Sequence, residues 1–233
     1  MKQYRNSVEF EVFGDYALFT DPLTKLGGQK MSYPVPTYEA IKGILKNIYW
    51  KPSISWIIDA IRVMNPIQTE SKGVRPIHFT DNKNDLAFYN YLKDVRYQVR
   101  AHFVFNENHL ELQDDWNEHK HHNMAKKYIE KGGRRNIFLG CSECGAYVIS
   151  CVFGDGDGFY DNIPELAFGY MLHGLTYPDE AYTSVPETSG NLCRRISLVT
   201  MKNGIIEFAK PEDCIHEVIY PMDMKVFEKP VEA

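Results

Sequence analysis

Nowhere in this sequence do about eighteen apolar residues follow one another, so no segment has the length or the hydrophobicity of a membrane-spanning helix. The opening MKQYRNSVEFEVFGD has no apolar run behind its positive start and predicts no secretory signal; a cytoplasmic location is the resulting expectation. Cysteine is scarce. There are 5 (Cys141, Cys144, Cys151, Cys193 and Cys214), and an odd, sparse set excludes a disulfide framework. Cys141-Ser-Glu-Cys144 has the spacing of half a zinc site, but no second paired motif supplies the remaining ligands. Two small residues at a turn before a strand is the better account. Asp155, Asp157 and Asp161 suggest a calcium loop, yet Phe159 and Tyr160 stand where an EF-hand needs a polar ligand and a glycine. Internal repeats and low-complexity tracts are also missing.

Positive charge is in overall deficit, with 26 Lys/Arg against 31 Asp/Glu and a formal net charge of -5. The deficit is uneven. Residues 1–154 hold 20 Lys/Arg and 17 Asp/Glu, whereas residues 155–233 hold 6 and 14, so a polyanion is expected to bind the first two thirds. Between His119 and Asn136, Lys120, Lys126, Lys127, Lys131, Arg134 and Arg135 face a single acid, Glu130, and His119, His121 and His122 lie among them. Such an island can hold phosphates, and its imidazoles can move protons near neutral pH.

Along the chain, Val8, Phe10 and Val12 alternate with Glu9 and Glu11, the period of a half-buried strand. Residues 20–36, punctuated by Asp21-Pro22, Gly27-Gly28, Pro34 and Pro36, predict a loop. Thr37 caps a helix marked by Tyr38, Ile41, Ile44, Leu45 and Ile48, which must end before Pro52 and leaves Tyr49 at its end, where a phenol can face solvent or ligand. Ile54–Val63 reads as a strand covered on both faces, residues 64–92 as a hairpin excursion, and residues 93–105 as a strand with Tyr97, Val99, Ala101 and Phe103 on a core face and Arg96, Gln98, Arg100 and His102 on a basic one. Residues 106–118 read as loop. Asn123 is the expected cap of a short helix, Met124–Lys131, with Gly132 as its stop, and Ala146–Phe153 as a further strand.

The order is that of an α+β, ferredoxin-like (RRM-like) βαββαβ domain over residues 1–154 with a hairpin insertion. Residues 155–233 predict a small antiparallel β-sheet domain built from runs near Gly169–Leu175, Ile196–Met201 and Ile205–Phe208, the last two joined by an Asn203-Gly204 turn. RYQVRAHFVF does not match the aromatic pattern of an RNA-binding RRM, so the fold alone says little about function.

Cleaving RNA without a metal requires a group to take the 2′-hydroxyl proton, a group to protonate the departing 5′-oxygen, and positive charge on the phosphate. Histidine, lysine and tyrosine can divide that work. In an extended segment ahead of the Asn123 cap, Lys120 and His121 would both reach one phosphate; the competing account is a solvated polar loop in which they do nothing.

The runs FEVFGDYALFTDPLTKLGG, VPTYEAIKGILKNIYWKP, RVMNPIQTESKGVRPI, YLKDVRYQVRAHF, GGRRNIFLG and FGDGDGFYD resemble the CRISPR-associated endoribonuclease of subtype I-C, the five-d branch of the Cas-five family in the RAMP superfamily, over nearly the whole chain. The resemblance implies a ferredoxin-like domain with a glycine-rich loop, here Gly132, Gly133, Arg134 and Arg135, and a small β-sheet domain behind it. It implies metal-independent cleavage of the CRISPR repeat hairpin in precursor crRNA, with no cofactor, giving 2′,3′-cyclic phosphate and 5′-hydroxyl ends. Its catalytic tyrosine, lysine and histidine fall on Tyr49, Lys120 and His121, although His119 and His122 flank the last. Arg96, Arg100, Lys126, Lys127, Arg134 and Arg135 are the expected phosphate contacts, with Gly132 and Gly133 shaping the loop. Implied partners are the repeat RNA or crRNA and other subunits of a type I-C surveillance complex, with no membrane; DNA binding stays open. A non-catalytic subunit holding the 5′ handle of a guide RNA, and a scaffold with an acidic C-terminal dock, are the alternatives.

Overall fold

Alternating apolar and acidic residues build β1, Val8–Ala17, with Val8, Phe10 and Val12 buried. It occupies the middle of the main sheet. The computed structural model describes residues 4–22, 24, 29–77, 80 and 82–223, so the expected loop glycines Gly27 and Gly28 lie outside the described residues. After β1 come β2 (Lys30–Met31), α1 (Tyr38–Ile48), β3 (Ile54–Val63), β4 (Gln68–Val74), β5 (Ala87–Phe105), α2 (Glu118–Glu130), β6 (Ile137–Phe138) and β7 (Gly145–Ser150). Strands β7, β1, β5 and β3 are antiparallel neighbours in that order. Counting only these four, the fourth, first, third and second strands lie side by side, which is the ferredoxin-like arrangement. The expected excursion is the β4–β5 hairpin, in which Gln68–Val74 pairs with residues 87–93.

Helix α1 forms where expected. The Thr37 hydroxyl accepts from the Ala40 amide at 3.2 Å, Glu39 complements the positive first turn, and Ile41, Ile44, Leu45 and Ile48 bury one stripe against the sheet. Each such side chain contributes about 1.5–3 kcal/mol by leaving water. Helix α2 corrects the sequence expectation: it starts at Glu118, capped by Asn117, whose side-chain oxygen accepts from the Lys120 amide at 3.0 Å. The buried stripe of α2 is His121, Ala125 and Ile129, so a fully buried imidazole fills a position that the hydrophobic pattern assigns to an apolar residue. The expected loop before it contains a turn of 3-10 helix, Leu110–Asp115, and Trp116 at its end stacks on Phe105.

Strands β8 (Leu166–Thr176), β9 (Asn191–Met201) and β11 (Ile215–Pro221) form a second, antiparallel sheet in the order β11-β9-β8. Strand β10, Ile205–Glu207, corrects a further expectation. Its turn forms through Asn203 and Gly204, both at positive φ, but the strand then pairs with Arg62, Ile61 and Ala60 of β3 and extends the first sheet. The two sheets are locked by buried charge. Arg195, with no exposed surface, bonds Thr176, the Leu175 carbonyl and Glu39 of α1, while Glu180 pairs with Lys42 of α1.

Candidate active site and nucleic-acid interface

Tyr49 follows the last residue of α1 in extended backbone, and its side chain turns into the core rather than toward solvent. Its ring is stacked beside Tyr128 of α2, and its hydroxyl lies 2.7 Å from His121 Nδ1. On the far side of the imidazole, Nε2 lies 2.7 Å from the Asp115 carbonyl oxygen. A carbonyl only accepts, so Nε2 carries the proton; in the neutral ring Nδ1 is then the acceptor and Tyr49 the donor. Burial pushes the Tyr49 phenol up to about 12, with the Asp115 charge adding to the effect and Arg134 opposing it. This tyrosine is a donor, not an anion, near neutral pH.

Asp115 is the member that sequence reasoning missed. Its carboxylate accepts from the Lys120 ammonium and, at 2.7 Å, from the Ser53 hydroxyl, while its carbonyl fixes His121. Partial burial pushes the carboxyl up, but the Lys120 and Ser53 hydrogen bonds outweigh that and hold it below the usual carboxylate range. The available signal was an acid five residues before Lys120, hidden in a stretch that reads as polar loop.

The structure therefore brings Tyr49, Lys120 and His121 into one cluster, on different terms from those expected. Lys120 and His121 are consecutive helical residues, about 100° apart, so the ammonium is half exposed while the imidazole is wholly enclosed. His119 is exposed, and His122 spends Nε2 on the Ser7 carbonyl at 3.0 Å.

The basic residues separate by facing. Helical periodicity places Lys120, Lys127 and Lys131 on one outer stripe of α2, whereas Lys126 turns about 100° away and lines a cavity with His122, Tyr4 and Cys151. The stripe leads into the glycine loop. Gly132 and Gly133 have φ of 78° and 110°, and their amides return to the carbonyls of Ile129 and Tyr128 at 2.9 and 2.8 Å, a Schellman stop that requires glycine geometry. Exposed Arg134 and Arg135 follow, beside a groove of about 540 Å³. Arg96 and Arg100 stand apart from this surface. They lie on the other face of β5, where Arg96 pairs with Glu11 at 3.3 Å and Arg100 with Glu9 at 2.8 Å. Arg62, on the same face, is spent on Asp161 at 2.6 Å.

A ferredoxin-like sheet backed by a lysine-striped helix and a glycine-arginine loop defines an α+β protein with a basic edge beside an open groove. The sequence model of the family described as CRISPR-associated protein (Cas_Cas5), of the Cas5d type, matches residues 7–209, and the chain belongs to that family. It is similar to the CRISPR pre-crRNA endoribonuclease Cas5d of Mannheimia succiniciproducens, 34% identical over 150 residues covering 54% of this chain and 64% of the relative. The match thus spans slightly under two thirds of that relative's length. The protein of the same name from Thermus thermophilus is 27% identical over 188 residues, covering 74% of this chain and 75% of the relative. Among solved structures, a CRISPR-associated protein superposes with a TM-score of 0.75 at 32% identity, covering 91% of this chain and 96% of that one. A functionally uncharacterized protein from Streptococcus mutans gives 0.73 at 34% identity with the same coverage. No helix among the described residues is long and apolar enough to cross a membrane.

Proposed function

We propose that the chain is an endoribonuclease that binds the CRISPR repeat hairpin in precursor crRNA and cuts it to leave 2′,3′-cyclic phosphate and 5′-hydroxyl ends. It then stays with the crRNA as a subunit of a type I-C surveillance complex in the cytoplasm. The observation that carries this reading is the 2.7 Å contact between Tyr49 and His121, made across two helices beside Lys120. The names of the Mannheimia and Thermus relatives supply the substrate class.

In the proposed chemistry the 2′-oxygen attacks phosphorus while its proton passes to Tyr49 Oη and the proton of Tyr49 passes to His121 Nδ1. The phenol stays neutral throughout, so its raised pKa is no obstacle. Lys120 stabilises charge on the phosphorane and protonates the departing 5′-oxygen. Tyr49 is only 2% exposed, so RNA must first open the cluster. A phosphate competing with Asp115 for Lys120 is the proposed trigger, because Asp115 also anchors His121. Lys127, Lys131, Arg134 and Arg135 hold neighbouring phosphates.

A second reading, an RNA-holding subunit without catalysis, is favoured by the enclosure of His121, both of whose nitrogens are already bonded. Incubating the protein with repeat RNA in EDTA separates the two. Cleavage with a cyclic phosphate end, lost in Tyr49→Phe and His121→Ala, supports the nuclease; binding with intact RNA supports the holding subunit.

A further inference from the structure

We propose that Asp59 and His102 form the floor of a nucleobase-binding pocket on the sheet face opposite α2, closed in this structure by the ring of Tyr4. It rests on the reading that the chain handles RNA, and it adds a base contact to the phosphate contacts above.

The pocket begins with an irregularity. The β3–β5 pairing shifts between Ile58 and Ala60, leaving Asp59 without a partner in the ladder, and the Asp59 carbonyl is held from outside by the Phe208 amide at 3.2 Å. A bulge of this kind re-aims a side chain. The Asp59 carboxylate meets His102 Nδ1 with both oxygens at 2.9 Å. Because the carboxylate accepts, Nδ1 donates; in the neutral ring Nε2 is then an acceptor, with no protein partner among the described residues. His102 is 6% exposed and lines a cavity of about 460 Å³, a volume suited to a nucleoside.

Two features select the ligand. The first is stacking: the Tyr4 ring lies 3.7 Å from the imidazole centroid at 14°, the separation at which bases stack, and Tyr4 precedes β1 outside any strand. A base replacing that ring gains the same contact. The second is the excess of acceptors. Glu207 and Glu212 line the cavity with Asp59 and His102 Nε2, and Lys210 stands among them to meet the attached phosphate. Such a lining favours bases that carry an exocyclic amino group over uracil. The site is separate from the Tyr49 cluster, because His121 meets the Phe103 and Phe105 rings on one face of β5 while His102 alternates to the other.

The test uses a short single-stranded RNA with one 2-aminopurine, whose emission falls on stacking, among uridines, and a terminal dye whose anisotropy reports binding. Wild type should quench the 2-aminopurine about two-fold or more at saturation. His102→Ala should lose most of that quench while anisotropy still reports binding, and Tyr4→Ala, freed of the competing ring, should quench at lower protein concentration. If His102→Ala does not fold, Tyr4→Ala decides. Quenching that is equal in wild type and His102→Ala, or lost in Tyr4→Ala, overturns the pocket. Anisotropy without quenching in wild type sinks the pocket alone; no anisotropy change with any RNA sinks the RNA reading with it.

Discussion

Tyr49 and His121 are 72 residues apart in the chain and 2.7 Å apart in the fold, and their hydrogen bond is buried from end to end. Removing the phenol oxygen leaves Nδ1 an unsatisfied buried acceptor. Tyr49→Phe should cost about 1–3 kcal/mol of stability, read from urea denaturation. Single-turnover cleavage of repeat RNA should fall by about 10²-fold or more, with RNA affinity changed little. A stable Tyr49→Phe protein that cuts at the wild-type rate would remove the tyrosine from the mechanism.

Asp115 gives a different signature because it restrains the cluster. Its folded-state carboxyl lies below the usual value near 3.9, so the stability it contributes is present above about pH 4 and is lost as pH falls through the lower folded value. Asp115→Asn should flatten that acid limb of the stability profile. It should also remove the charge that holds Lys120 while leaving the backbone carbonyl on His121 in place, so RNA binding should tighten at low salt as one competing anion disappears. Equal affinity in the variant and the wild type would contradict the release step.

The fold was largely readable where one residue's environment follows from its neighbours in sequence. Alternation revealed β1 and β5, and the Thr37 cap with its apolar stripe revealed α1. The start of helix α2 was not legible because His121 occupies a core position that the distant Tyr49 and the Asp115 carbonyl together make tolerable; without those partners the run reads as polar loop. Arg96 and Arg100 show the same blindness. Their neutralisation by Glu11 and Glu9 depends on the β1–β5 register, which no local pattern reports.

That register sorts the basic residues by measurable effect. Each phosphate contact contributes about 0.7 on a single strand, or about 0.9 on a duplex stem, to the slope of log affinity against log salt. Alanine at Lys127, Lys131, Arg134 or Arg135 should lower the slope by about that amount each. At Arg96 or Arg100 the slope should hardly move, since these charges are already paired. Salt titrations of the six variants on one hairpin decide it, and a full unit lost at Arg100 would place RNA on the opposite face.

His173 offers a test of how the two sheets are joined. Its ring stacks on Tyr38 of α1, its Nδ1 accepts from Arg195 at 3.2 Å, and its Nε2 donates to the Ala209 carbonyl at 3.0 Å. Burial, reinforced by the Arg195 charge, pushes its pKa down to about 3, whereas the unfolded residue titrates near 6.5. The unfolded chain therefore takes up a proton that the folded chain refuses. Stability should decline as pH falls from about 6.5 toward 3, by at most roughly 1.4 kcal/mol per pH unit. His173→Gln, which keeps a side-chain donor and acceptor, should flatten that decline in urea denaturation at pH 7, 6 and 5. An unchanged slope would show that the imidazole is protonated within the fold, and the Arg195 contact would then have to be remade.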